Sequence, residues 1–282
     1  MVCAVINTVL DVVFVRAFNM GVAGVAVATV VAQGISALLV IFMLLATKSA
    51  VQLDLKRVKF DNAILKTIVV LGLPAALRVS ITSFSNIFVQ SYINAFGEAG
   101  MGGWTAYNKI DMLILLPMQS LSFAVSTFVG QNIGAGDKKR AEHGANVALL
   151  MGLVSTLVLI VPIILFPEFF VSLFNSNPEI IEYGALFLRL LTPFYLIWCV
   201  TLIYSGALNG AGKTLVTMII MLSSFVAFRQ VYLFVVSNYI SKDPVAIVLC
   251  YPIGWTLAAI ATFIYYKIKG LAPKEKKSVV IE

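Results

Sequence analysis

Residues 147–166 read VALLMGLVSTLVLIVPIILF, an apolar run with no charged side chain. A run of about 20 apolar residues is what an α-helix needs to cross the roughly 30 Å hydrocarbon layer of a bilayer. Working outward in both directions, comparable runs recur at roughly 2–18, 22–46, 64–95, 104–130, 142–166, 183–208, 214–238 and 245–268. Short polar breaks separate them. No soluble core can bury that much apolar helix, so the pattern predicts an all-α polytopic membrane protein with about eight transmembrane helices. The prolines and glycines inside the runs are tolerated in membrane helices.

Composition agrees. Of 282 residues, 60% are hydrophobic and 12% charged, with mean hydropathy +0.98. Soluble domains carry about 25% charged residues. The net charge of +7 does not point to nucleic acid, because the basic residues gather at the ends of runs and form no basic face with interleaved aromatics. They fall on every second break: Lys48, Lys56, Arg57, Lys59 and Lys66, then Lys138, Lys139 and Arg140, then Lys213, then Lys267, Lys269, Lys274, Lys276 and Lys277. The opposite breaks hold Arg16 and Lys242. Basic loops stay on the cytoplasmic side, so these breaks and the C-terminus are expected inside the cell. "GEAGMGG" at 97–103 and the stretch 166–184 are expected as outer breaks.

Sites of soluble chemistry are missing from the sequence. Cys3, Cys199 and Cys250 lie in apolar runs without metal-ligand spacing and read as small buried side chains. His143 stands alone in a basic loop. "LNGAGKT" at 208–214 looks like a phosphate loop, but Ala207 stands where the first glycine is needed, and the stretch follows an apolar helix. It reads as a short glycine turn. No nucleophile–base pair and no dinucleotide fingerprint occurs, so neither an enzyme nor a cofactor is expected.

Ionisable and polar residues inside the runs are the informative ones. Asp11 follows Asn7 by four residues, which stacks the two on one helix face. A carboxylate at membrane depth is costly and marks a functional site by default. The bland reading is a wet outer-mouth residue paired with Arg16. In the third run Thr82, Asn86, Gln90 and Asn94 recur at intervals of four, with Arg78 one turn after Pro74. Such a face belongs against other helices or a water-filled cavity. Gln119, two residues beyond Pro117, and Tyr195 complete the candidate cavity set. Trp104 and Tyr107 read as interfacial belt residues.

At these residues the chain resembles the C-terminal two-thirds of a multidrug and toxic compound extrusion (MATE) transporter. "NTVLDVVFVRAFNMGVAGVAVATVVAQ" at 7–33 resembles the fifth and sixth helices of that family, and "LGLPAAL" at 71–77 the start of its seventh. "FVGQNIGAGDKKRA" at 128–141 resembles the junction of the eighth and ninth helices, and "SGALNGAGKT" at 205–214 the turn between the tenth and eleventh.

The resemblance implies a family fold of two six-helix lobes around a substrate cavity. Residues 1–46 would be the last two helices of a truncated first lobe, 47–66 a cytoplasmic linker between lobes, 67–270 a complete second lobe, and 271–282 a cytoplasmic tail. It also implies secondary efflux of amphipathic organic cations in exchange for protons or sodium, by alternating access at the plasma membrane. Asn7 and Asp11 match the fifth-helix pair that the family uses in cation coupling. Some sodium-coupled members use acidic residues in helices seven and ten. Residues 67–94 and 185–207 contain none, which favours a proton at Asp11. The implied partners are the lipid bilayer, a cationic small molecule and the missing N-terminal helices. Two rival readings remain, a flippase of lipid-linked sugars from the wider superfamily and a non-transporting truncated membrane subunit.

Overall fold

The computed structural model describes residues 2–47, 52–53 and 60–271. The tail 272–282 and residues 48–51 and 54–59 of the expected linker lie outside the described residues, and its last residues, from Asn62 on, are already helical. Among the described residues every regular element is helical. The chain divides into two compact units, Met1–Leu65 and Lys66–Glu282.

In the first unit, α1 (Val2–Val12) runs on through a π-helical turn, Val13–Ala17, and α2 spans Gly21–Ala46. Gly24, Ala28 and Ala32 are the buried residues of α2. Their spacing of four puts small side chains in one row, which lets neighbouring membrane helices approach closely. Cys3 Sγ donates to the Ala32 carbonyl (3.4 Å), and Asn7 Nδ2 donates to Thr29 Oγ1 (3.4 Å), so α1 lies along that row.

The second unit holds α3 (Asn62–Asn94) from Lys66 onward, α4 (Gly97–Gly134) and α5 (Lys138–Leu165). The short α6 (Pro167–Ser172) leads to α7 (Pro178–Leu191), which passes through a 3-10 turn, Thr192–Phe194, into α8 (Tyr195–Gly210). Then α9 (Thr214–Leu222), a π turn (Ser223–Phe228), α10 (Arg229–Val235) and a second π turn (Val236–Ile240) form one continuous rod. A short α11 (Pro244–Val248) precedes α12 (Cys250–Lys269).

Seven helical rods among the described residues are long and apolar enough to cross a membrane. The eighth expected span, α1 with its π turn, ends at Ala17 and is shorter than the rest. α4 is the spine of the second unit, packing on α5, α7 and α8, while α8 also packs on α5 and α12.

Two expectations about boundaries are corrected here. The stretch 97–103 is the first turns of α4 and not a break; the chain reverses at Ala95–Phe96. Gly97, at φ +73°, serves the reversal, whereas Gly103 serves helix packing, since a Cβ there would meet the backbone nitrogen of Gly184 at 2.7 Å. The stretch 166–184 is likewise largely helical, as α6 and the start of α7. The polar residues of the breaks cap the helices that follow. Asp137 accepts from Arg140 N (2.9 Å), Asn177 from Glu179 N (3.0 Å) and Asp243 from Val245 N (2.7 Å). Each satisfies a backbone donor that the first turn leaves free.

"SGALNG" has a packing role as well. Gly206 and Gly210 lie one turn apart on α8, where α4 crosses it. A Cβ would stand 2.5 Å from the Ser122 carbonyl at Gly206 and 2.2 Å from the Ser126 carbonyl at Gly210. Ser122 Oγ donates across the same crossing to the Leu202 carbonyl (2.7 Å). This is the Gly-x-x-x-Gly device of membrane helices. The reversal itself is Ala211–Lys213, with Gly212 at φ +75°, a conformation that favours glycine.

Candidate functional site

In the first unit, Asn7 and Asp11 are both half-buried on α1, and Asn7 is held by Thr29 of α2. One carboxylate oxygen of Asp11, Oδ1, is buried without a hydrogen-bond partner. Arg16 is exposed, and no ion pair joins it to Asp11 among the described residues. The π turn starts two residues after Asp11. Such turns are frequent at functional sites because the wider turn frees a carbonyl and re-aims side chains.

The second unit holds two linked polar clusters that the sequence reading had not assembled. The first lies around Arg229, which opens α10 straight after a π turn and is 2% exposed. Its Nη2 donates to Ser85 Oγ (2.7 Å) and Asn86 Oδ1 (2.9 Å) on α3. Gln230 Nε2 donates to the same Ser85 hydroxyl (2.8 Å), which itself donates to the Phe225 carbonyl (3.2 Å). These contacts tie α3 to the α9–α10 rod. They also leave Arg229 Nε buried without a partner.

The second cluster lies around Asp111 on α4. The Tyr195 hydroxyl donates to Asp111 Oδ1, and the Tyr107 and Tyr195 hydroxyls are 2.9 Å apart. A phenol has one proton. With Tyr195's proton on Asp111, Tyr107 is the donor of the pair, and the chain runs Tyr107 to Tyr195 to Asp111. An aromatic layer joins the two clusters. Trp104 stacks on Tyr107 (4.8 Å between centroids), Trp104 and Trp255 both flank Tyr251 (5.6 and 6.0 Å), and the Arg229 guanidinium lies 5.4 Å from the Tyr251 ring centre. A carboxylate cluster and a guanidinium cluster are therefore linked through one set of packed aromatic rings.

The expected cavity residues separate into different settings. Asn86 joins the Arg229 cluster, and Tyr195 is fully buried in the Asp111 cluster. Gln90 is exposed and donates to Asn94 one turn on (2.8 Å). Arg78 and Thr82 are half-buried, and Gln119 is exposed.

Trp104 and Tyr107 are core residues and not belt residues, at 4% and 3% exposure. The i, i+4 spacing of Tyr107 and Asp111 was a visible signal for the second cluster. Its partner Tyr195 is 84 residues away, and no local pattern points to it.

The fold and these buried clusters define a polytopic helical membrane protein that holds ionisable groups at membrane depth. The chain belongs to the MatE family, whose model matches residues 74–235. It is 29% identical over 264 residues to a probable multidrug resistance protein, YpnP, of Bacillus subtilis (strain 168). That match covers 93% of this chain and 58% of the relative. It is 25% identical over 234 residues to an FAD transporter of Shewanella oneidensis, covering 79% of this chain and 50% of that one.

Among solved structures, it superposes on a transporter of the MOP superfamily from Pyrococcus furiosus, whose description reports a binding pocket of reversed polarity. There the TM-score is 0.90 at 22% identity, covering 98% of this chain and 62% of the other. An outward-facing multidrug resistance MATE transporter gives TM-score 0.87 at 22% identity, covering 96% and 61%. The chain thus spans between half and about three-fifths of the length of these relatives.

Proposed function

We propose that this chain serves, with four further helices of the same protein, as part of an efflux transporter. The transporter exchanges amphipathic organic cations for protons or sodium across the cell membrane, and it is not an enzyme. The observation that carries the reading is Asp11, an acidic side chain on a membrane helix with a buried carboxylate oxygen that has no hydrogen-bond partner among the described residues. Membership of the MatE family supports the transport class, and the multidrug resistance name of the Bacillus subtilis relative supports the cargo.

In this reading Asp11 is the coupling residue and Asn7 its positioning neighbour. Ionised, Asp11 attracts a cation; protonated, it presents no charge and accepts the company of apolar side chains. Any difference in that cost between two arrangements of the lobes makes proton binding shift their populations. Internal repeats rocking about a midplane site are the usual transporter device for such coupling. Arg78, Thr82, Asn86, Gln90 and Gln119 are the second unit's candidate cargo contacts; Tyr195, fully buried against Asp111, is not open to a cargo in this structure. The basic breaks and the C-terminus face the cytoplasm.

A lipid-linked sugar would need free cations for its phosphates. Among the candidates, Arg189 is paired with Glu168, and Arg229 is buried on Ser85 and Asn86, which leaves Arg78. This supports a cationic cargo over an anionic one.

The test is efflux by the complete protein in proteoliposomes, with an ethidium-like cation and with a lipid-linked oligosaccharide, under imposed proton or sodium gradients. Asp11→Asn is expected to abolish coupled cation efflux while the protein still folds. Normal proton-driven efflux by that variant overturns the assignment. Transport of the oligosaccharide alone selects the flippase, and no transport of either cargo selects the non-transporting subunit.

A further inference from the structure

At the basic end of the second unit, α9 and α12 leave a groove of about 350 Å³ between them. This lies within the roughly 300–1,000 Å³ range of small-molecule sites. Val216, Ile219 and Ile220 form one wall and Ala261, Ile264 and Ile268 the other. Spacings of three and four put each set on one helix face. Ile219, Ile264 and Ile268 are about half exposed or more, so the groove opens sideways to the surroundings of the helices. For a membrane-spanning pair those surroundings are lipid.

The polar lining sits at one end. Lys269 closes the groove beside the Tyr265 ring, and Lys213 Nζ lies 5.5 Å from the centre of that ring. Lys213 donates to the Gly270 carbonyl (2.7 Å), which fixes the ammonium group at the end of α12. Lys138 and Glu142 pair at 3.5 Å and border the same turn; a Cβ on Gly270 would meet Glu142 Oε1 at 3.5 Å and Lys138 Nζ at 3.7 Å.

Of these three lysines, only Lys138 has a carboxylate partner among the described residues. Among the described residues no carboxylate lies within ion-pair distance of Lys213 or Lys269. Burial, and then the charges of Lys138 and Lys269, hold the Lys213 ammonium below the ordinary lysine range. An anion placed here would remove that repulsion.

We propose that this groove is a binding site for an anionic glycerophospholipid, with an acyl chain between α9 and α12 and the phosphate on Lys269, Lys213 and Lys138. The charge complements an anionic headgroup, and the apolar groove meets the lysines at the membrane boundary, where a headgroup sits. Basic pockets between membrane helices on the cytoplasmic side suit such lipids. The site is separate from the transport reading and does not depend on it.

Native mass spectrometry of the complete protein in detergent, titrated with phosphatidylglycerol or phosphatidylcholine, tests it. One phosphatidylglycerol is expected to bind at least fivefold more tightly than phosphatidylcholine. Lys269→Gln should weaken it about fivefold, the share of one lysine near an anionic surface. Ala261→Phe should fill the groove and weaken both lipids. Lys242→Gln, at the opposite end of the rod, should change nothing.

Equal affinity for the two lipids overturns the proposal. So does phosphatidylglycerol binding that survives both Lys269→Gln and Ala261→Phe. Competition by millimolar inorganic phosphate marks a headgroup-only site and also overturns it, as does lipid uptake seen only after residues 272–282 are removed.

Discussion

Tyr195 has one hydroxyl proton and two neighbours, and that asymmetry sets the energetics of the Asp111 cluster. Tyr195→Phe removes the donor to Asp111 and also the acceptor for Tyr107. Tyr107→Phe removes only the outer donor. A buried polar group left without its partner costs about 1–3 kcal/mol. Thermal unfolding in detergent is therefore expected to show a larger loss for Tyr195→Phe than for Tyr107→Phe. Equal losses would mean that the hydroxyl chain runs the other way.

Arg229 presents a related case, because two hydrogen bonds from one buried cation hold α3 to α10. Hydrogen bonds to charged groups contribute about 1.5–3 kcal/mol each. Arg229→Met should retain much of the packing but lower stability by about 2–4 kcal/mol. It should also raise the accessibility of α3 in hydrogen exchange. Alanine at the exposed Gln90, by contrast, should leave stability unchanged within about 0.5 kcal/mol. A shift in drug preference by that variant, read from efflux profiles, would separate cavity lining from packing.

Between elements, the decisive contact is backbone on backbone. α4 and α8 meet where Gly206 and Gly210 leave no room for a Cβ. Gly72 on α3, also inside a helix, has nothing within 4 Å of its Cβ position. Substitution to alanine should then have opposite signs at the two places. Gly210→Ala forces the helices apart at an overpacking cost of about 1–3 kcal/mol. Gly72→Ala should be neutral or stabilise by about 0.4–1 kcal/mol, through the lower entropy of the unfolded chain. Unfolding midpoints of the two variants check this. A Gly210→Ala protein as stable as the parent would mean that the crossing can slide to accommodate the methyl group.

For the whole molecule, the alternation of basic breaks predicts sidedness. His143, expected in a loop but lying in the second turn of α5 next to the basic Lys138–Arg140, and Ser176, between α6 and α7, are both exposed. Cys199 and Cys250 are buried, whereas Cys3, expected to be buried, is half-buried, so the labelling is done in a Cys3→Ala background. In intact cells, a membrane-impermeant thiol reagent should label Ser176→Cys and not His143→Cys. Reversed labelling would invert the orientation.

Much of this architecture is written in local pattern. The length of an apolar run sets a span, because only an α-helix satisfies its backbone within the segment. The placement of lysine and arginine sets the expected orientation, and Asn7 with Asp11 is visible as a polar pair in a run of valines. Even the failed boundary at 97–103 has a local origin, since Gly97 alone serves the turn while Gly102 and Gly103 serve a close helix contact. Only the tertiary structure brought Asp111 to Tyr195, Arg229 to Ser85 and Asn86, and Lys213 to the end of α12. Those pairs are separated by 56 to 144 residues. Helical periodicity says which face a residue occupies, whereas its partner depends on which helices cross, and that was decided by small residues such as Gly206 and Gly210.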